Sequence, residues 1–170
     1  GTRGSIVFGI LAAQLVNQKF YGRTFMRSIL LFPYVGPVVA LAYTWELLLD
    51  PYSGTLNNLL LNFQVIQEPL NLLGQKYLTI NFFGFDLKLR LALTTVIIFE
   101  IWRYFPLAFL FILARLQAIP KELYEAADVD GAGPVQKFVS ITLPQITAVI
   151  SILFMIRFIW NFNKFEDIFL

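Results

Sequence analysis

The 170-residue chain contains no histidine and no cysteine. These absences remove His- and Cys-type zinc sites, cysteine nucleophiles and histidine-based triads, because each needs a residue type the chain lacks. Disulfides go with them, although missing cysteines say nothing about redox compartment. Charge is scarce as well: Asp, Glu, Lys and Arg make up 14% of the chain, against roughly a quarter in an ordinary soluble domain. The net charge of +2 is too small to suggest a nucleic-acid partner. Apolar residues fill the space, 58% of the chain with 18 phenylalanines, and mean hydropathy is +0.69. The implied solvent is lipid. No Lys/Arg-led apolar run with a small-residue cleavage site opens the chain, so no signal peptide is read. The first residue is Gly1, inside an apolar stretch, and the expectation is a central piece of a longer membrane protein.

A helix rising about 1.5 Å per residue needs roughly 20 apolar residues to cross a hydrocarbon core of about 30 Å. Four segments approach that length: residues 5–16, 28–49, 91–114 and 138–160. Nothing in the pattern suggests a barrel, and backbone groups in lipid must be satisfied internally. The expected fold is therefore all-α, a polytopic membrane helical bundle with about four transmembrane helices. Basic residues orient it. Lys19, Arg23 and Arg27 follow the first span, and Arg115, Lys121 and Lys137 follow the third, which puts both turns in the cytoplasm. The longer connection, residues 50–90, holds only Lys76, Lys88 and Arg90 and is rich in Pro, Gly and Asn, as an extracytoplasmic loop would be.

Residues 117–137 break the apolar pattern. Pro120 suits the first position of a helix, with Ile119 and Leu123 as an entry staple. Leu123, Ala126 and Ala127 fall on one face, and Glu122, Glu125 and Asp128 on the other. Gly131 is the natural left-handed residue after the helix, Pro134 restarts one, and Leu143-Pro144 bends it near its membrane entry. Two readings stand at this point: a well-capped loop between spans, or a rigid knob whose small alanines let a partner groove approach closely.

Charges inside the spans are the other candidates, since each costs a few kcal/mol at mid-bilayer unless paired or facing water. Glu100 and Arg103, three residues apart, form either a self-neutralised pair or a solute contact. Arg157, Asn161 and Asn163 make a polar strip, with Trp160 beside it. That strip either meets headgroups or holds a sugar, whose hydroxyls suit guanidinium and amide groups. No catalytic residue set and no metal-ligand spacing emerges. Gly131-x-Gly133-x-x-x-Lys137 lacks the Gly-Lys-Ser/Thr end of a phosphate loop and follows no strand.

Glu125-Ala126-Ala127, Asp130-Gly131-Ala132, Phe138, Ile141 and Leu143-Pro144, at these spacings, resemble the EAA motif of permease subunits of binding-protein-dependent ABC importers. The resemblance extends to Trp102 and Pro106, to Leu116-Gln117-x-Ile119-Pro120-x-Glu122-Leu123-Tyr124, and to Phe158-Ile159-Trp160-Asn161-Phe162-Asn163-x-Phe165. Gly22-Arg23 with Arg27, and Pro51-x-x-Gly54-x-Leu56-Asn57, resemble the sugar-importer branch. Two stretches depart from it: Gln145 to Val149, where a proline is common, and the outer loop from Phe63 to Leu89.

The resemblance implies a multi-pass permease of a prokaryotic inner (plasma) membrane, lacking here its first and last spans. Its partners would be a cytoplasmic ABC ATPase dimer, a second permease subunit, an extracytoplasmic solute-binding protein and membrane lipid. ATP and magnesium would sit on the ATPase, with no cofactor on this chain. Leu123, Glu125, Ala126, Ala127, Asp130, Gly131, Phe138, Leu143 and Pro144 would form the ATPase-coupling surface, Leu123 and Phe138 packing it from behind. Glu100, Arg103, Arg157, Trp160, Asn161 and Asn163 would line the solute pathway. The competing class is an ion-coupled secondary transporter or channel gated by Glu100 and Arg103 without ATP.

Overall fold

The computed structural model describes residues 1–18, 20–64, 66, 68–74, 78–82 and 85–163; Lys19, Lys76 and Phe165 lie outside them. The chain runs α1 (Thr2–Asn17), α2 (Arg23–Val35), α3 (Val38–Leu49), α4 (Thr55–Asn62), β1 (Leu78–Phe82), β2 (Phe85–Leu89) and α5 (Leu91–Gln117). It ends with α6 (Lys121–Val129), α7 (Pro134–Lys137), a π-helical turn (Phe138–Thr142) and α8 (Leu143–Asn163). The architecture is that of a helical membrane protein. Among the described residues two rods are long and apolar enough to cross a bilayer, Leu91–Gln117 of 27 residues and Pro134–Phe162 of 29.

Three local features differ from the sequence expectations. The stretch 28–49 is not one helix: α2 ends at Val35 and α3 begins at Val38. Pro37 has no N–H to continue the ladder and drives Gly36 out of the helical region. Next, the connection 50–90 contains a short antiparallel hairpin, with Leu78 opposite Leu89 and Phe82 opposite Phe85. Finally, the last rod opens at Pro134, as the sequence suggests, but passes through a π turn at Phe138–Thr142 before α8. There the Leu143 N–H bonds to the Phe138 carbonyl, five residues back. A wide turn fits just before Pro144, which cannot donate to the carbonyl four residues earlier.

Two compact units can be recognised, Gly1–Tyr34 with Ile101–Leu170, and Val35–Glu100. In the first, α1 lies directly on α5. Ser5, Gly9 and Ala13 recur every fourth residue along α1 and are all buried. A Cβ built on Gly9 would stand 2.6 Å from the Ala108 Cβ and 2.9 Å from the Phe109 backbone nitrogen. That is the close backbone approach by which small residues associate helices in lipid, where no hydrophobic force pulls them together. Gly4 faces Ile101 and Gly9 faces Ala108, so α1 and α5 run parallel. The Asn161 side-chain amide donates to the Thr2 hydroxyl at 2.9 Å, so α8 runs the opposite way. Phe109, Ile112, Ile146 and Leu153 fill the space among the three helices.

In the second unit, Asp50 closes α3. One carboxylate oxygen accepts from the N–H groups of Tyr52 and Ser53 and from the Ser53 hydroxyl, at 2.7–3.0 Å. Buried Asn57 then staples the loop: its amide donates to the carbonyls of Asp50 and Leu70, and its oxygen accepts from Leu70 N–H at 3.0 Å. Gly54 lies against the Asp50 carbonyl with no room for a side chain. The Pro51-to-Asn57 pattern is thus a folding device for the start of the connection 50–90.

Candidate functional site

The segment after α5 is a rigid projection. Ile119 is buried at the foot of α6, but Leu123 is 42% exposed and does not pack the helix from behind as expected. Tyr124 takes that place: its ring packs against the core and its hydroxyl shares a 2.8 Å hydrogen bond with Thr142 on the π turn. Pro120 stands one residue before the helix, as its N-cap. At the other end, Gly131 has φ +73°, its N–H bonds to the Asp128 carbonyl, and the Ala132 N–H reaches back to Ala127. These are the paired bonds of a Schellman cap. Pro134 opens α7, and Lys137 forms an ion pair with Asp128 that ties α7 to α6. At the base, the Arg115 Nε donates to the Gln145 carbonyl at 3.0 Å, joining the end of α5 to the start of α8.

The projection leaves a mixed surface uncovered. Glu125, Ala126, Asp130 and Gly131 are exposed, Ala127 is half-buried, and Leu143 and Pro144 are exposed where α8 begins. Val129 and Val135, at 89% and 76% exposed, flank the glycine turn. Phe138 is half-buried. Sequence reasoning missed Tyr124, the Asp128–Lys137 pair and the two valines. The valines had a signal, since apolar residues beside a glycine turn have no reason to be there if the turn meets only water.

A second cluster lies halfway along α5. Tyr104 is the middle residue of that helix. By helix rise it stands about 20 Å from either end, which is mid-bilayer depth for a crossing helix. The Arg157 guanidinium of α8 stacks over its ring, Cζ 3.7 Å from the centroid, and the residue is only 2% exposed. Arg103 reaches the same tyrosine, with Cζ 5.1 Å from the ring centroid and Nη1 3.4 Å from the hydroxyl oxygen. Trp160 completes the group, its ring 6.3 Å from Tyr104. Asn161 is exposed and bonded to Thr2, Asn163 belongs to α8, and Glu100 is half-buried in the other unit. A headgroup-facing Arg157 is not compatible with its burial. Stacking on an aromatic ring is a favourable setting for a desolvated guanidinium. Tyr104, the centre of the cluster, was invisible to a reading that ranked residues by charge alone. Among the described residues, no three acidic side chains converge as a cation site would require.

The chain is similar to known membrane proteins over nearly all its length. The model of the family described as "Binding-protein-dependent transport system inner membrane component" matches residues 5–165. The inner membrane ABC transporter permease protein YcjO of Escherichia coli is 37% identical over 98% of this chain and 53% of its own length. The trehalose/maltose transport system permease protein MalF of Thermococcus litoralis is 34% identical over 96% of this chain and 50% of its own. The sn-glycerol-3-phosphate transport system permease protein UgpA of Yersinia pestis is 32% identical over 92% and 48%. In three dimensions, a bacterial ABC transporter that imports the acidic polysaccharide alginate superposes with a TM-score of 0.73 at 27% identity, covering 88% of this chain and 48% of that one. The chain spans about half the length of the curated relatives it matches.

Proposed function

Because the chain belongs to the inner membrane components of binding-protein-dependent transport systems, we propose that it is the core of a permease subunit in an ATP-driven carbohydrate importer. The solute, a sugar or polyol, arrives on an extracytoplasmic binding protein and passes between this subunit and a second permease. A separate cytoplasmic ATPase dimer, carrying ATP and magnesium, drives the cycle through residues 117–144, and this chain is a non-catalytic subunit. The names of the relatives support the solute class: trehalose and maltose, glycerol phosphate, alginate.

The observation that carries the coupling assignment is the build of the projection. A segment meant only to connect two spans would leave its own ends to water. Here the Schellman cap at Gly131, the Asp128–Lys137 pair and the Tyr124–Thr142 bond hold α6 and α7 as one body, while Glu125, Ala126, Val129 and Val135 face outward. A rigid body rooted by Arg115 and Gln145 at the junction of α5 and α8 transmits displacement to both helices. In this reading Leu123 belongs to the outward contact surface, Phe138 and the exposed Leu143-Pro144 form the pivot, and Asp130 caps α6.

For the solute pathway, Arg103, Arg157, Trp160 and Asn161 supply cationic, aromatic and amide groups at and beyond mid-depth, with Glu100 and Asn163 on the same two helices. Arg157, stacked beneath Tyr104, shapes this wall; the more accessible Arg103 and Asn161 contact solute. The test is uptake of labelled sugar, with its ATP hydrolysis, by the reconstituted full-length complex. Glu125→Lys should break the coupling contact, abolishing uptake while the protein remains in the membrane. Unchanged uptake would refute the assignment, and uptake without ATP that follows a proton or sodium gradient would establish the ion-coupled class instead.

A further inference from the structure

The rod Pro134–Phe162 is interrupted by the π turn Phe138–Thr142, where the Leu143 N–H bonds the Phe138 carbonyl. In a regular α-helix that N–H would bond Val139, four residues back. The π turn thus takes up one more residue than the α turn it replaces, and such turns are frequent at functional sites. Closing it hands each later N–H to the next carbonyl along. By helix geometry α8 then turns by about 100° and advances by about 1.5 Å relative to α7. Every position along α8 is filled by the residue before the one that holds it now.

Three observations suit this turn to two registers. Pro144 has no N–H for the Ser140 carbonyl, which denies the α form one of its bonds. The two bonds that hold the projection are placed differently with respect to the turn. Asp128–Lys137 lies wholly before it and survives a slip, whereas Tyr124–Thr142 ends inside it and breaks, because Thr142 turns with α8. The tyrosine hydroxyl is therefore a latch on the π form. Lastly, α8 carries two adjacent stripes that fit a core. Ile150, Leu153 and Arg157 face inward now, and Val149, Ile152 and Ile156, each one residue earlier, repeat that spacing with apolar side chains throughout.

We propose that the π turn is a register switch, closing to an α turn during the transport cycle and slipping α8 by one residue. The switch rests on the transport reading above and names the element that carries the stroke from the projection to the solute wall. Before the slip, the buried Arg157 stacks on Tyr104, with Cζ 3.7 Å from the ring centroid. After it, Ile156 lies beneath Tyr104 and Arg157 takes the position of Phe158, which is 52% exposed. A guanidinium there is costly against lipid, so that face of α8 borders the watery solute path. Displacement of the projection thereby presents a cation to the solute and withdraws it again.

The test uses the full-length complex in lipid nanodiscs, free of other cysteines, with a nitroxide on Ile152→Cys or Ser151→Cys, both at exposed positions. Oxygen accessibility of each label is read by electron paramagnetic resonance while a non-hydrolysable ATP analogue is added. The slip carries residue 152 into the buried place of Leu153 and residue 151 into the exposed place of Ile152. Accessibility at 152 should therefore fall severalfold, with 151 unchanged. Tyr124→Phe keeps the ring and removes the latch. It should lower the analogue concentration giving half-maximal protection about fivefold, the net worth of one hydrogen bond. Protection of 152 that Tyr124→Phe leaves unaltered would mean that another surface covers it, and would overturn the switch. Unchanged accessibility at 152 in a complex that takes up sugar would overturn the switch alone. Absence of ATP-driven uptake by the unlabelled complex would refute the transport reading instead.

Discussion

Gly131 is where a single methyl group tests the coupling argument most cleanly. Its φ of +73° lies in the left-handed region, and a Cβ built on it meets nothing within 4 Å. Gly131→Ala therefore creates no clash, and its whole cost is the left-handed backbone, about 1–2 kcal/mol for a residue with a Cβ. At 1.4 kcal/mol per factor of ten, the cap should open roughly 5–30 times more often. Gly131→Asn, which can bond its own backbone in that conformation, should cost less. Gly131→Asp adds a third negative charge beside Asp128 and Asp130 and competes for Lys137. Hydrogen exchange at the Gly131 and Ala132 amides, whose bonds to Asp128 and Ala127 define the cap, reads the opening directly. Sugar uptake per ATP hydrolysed reads its consequence. The expected order is wild type, Asn, Ala, Asp in both measurements. If Ala exchanges no faster than wild type, the cap does not depend on glycine. If it exchanges faster and coupling is unaffected, rigidity of the projection is not what transmits the stroke.

Three other perturbations test the supporting structure. Gly9→Ala pushes a methyl group into Ala108 and the Phe109 backbone, and overpacking of this kind costs about 1–3 kcal/mol. Thermal unfolding should show a clear loss of stability, whereas Gly133→Ala, with open space around it, should show little. Asn57→Ala removes three hydrogen bonds and leaves Leu70 N–H without its acceptor, a loss of about 1–3 kcal/mol. Protease nicking between residues 63 and 74 should accelerate while the membrane core stays intact. Hydrogen bonds from Ser53 and Tyr52 hold the Asp50 carboxyl below its ordinary value of 3.8. A group depressed in the folded state adds stability that is complete above its unfolded value and lost as pH falls through the folded one. A carboxyl NMR titration should accordingly place Asp50 below 3.8 and, in Ser53→Ala, move it upward; an unshifted titration in both would remove the turn from the account.

Much of the segment 117–144 is legible in sequence because its signals are local. Gly131 demands a left-handed position, Pro134 opens a helix, and Leu143-Pro144 announces a distortion; each acts within a few residues, and the structure shows all three features. The side chains that anchor the segment are not local. Tyr124 bonds Thr142 across 18 positions, and Asp128 meets Lys137 around the glycine turn. The family resemblance implied that Leu123 packs the helix from behind, but the helix turns Tyr124 inward, since a tyrosine buries its ring and still satisfies its hydroxyl. The same limit applies to the membrane charges. Charge scarcity pointed to Arg103 and Arg157, yet the uncharged Tyr104 that organises both carries no mark in composition.

By itself the sequence determined the solvent, the helical class, the alternation of basic turns and the family motif. These follow from composition and from spacing along one chain, where lipid forces backbone hydrogen bonds to close within each segment. Tertiary structure decided which faces meet. Small residues on α1 set how closely it approaches α5, Pro37 ends a helix that hydropathy alone would have run through to Leu49, and the buried Arg157 stacks on Tyr104, which stands opposite it on another helix. Hydropathy averages along a segment, whereas packing depends on rotation about its axis, and in lipid the apolar residues on every side leave that rotation to be set by small residues and a few polar contacts.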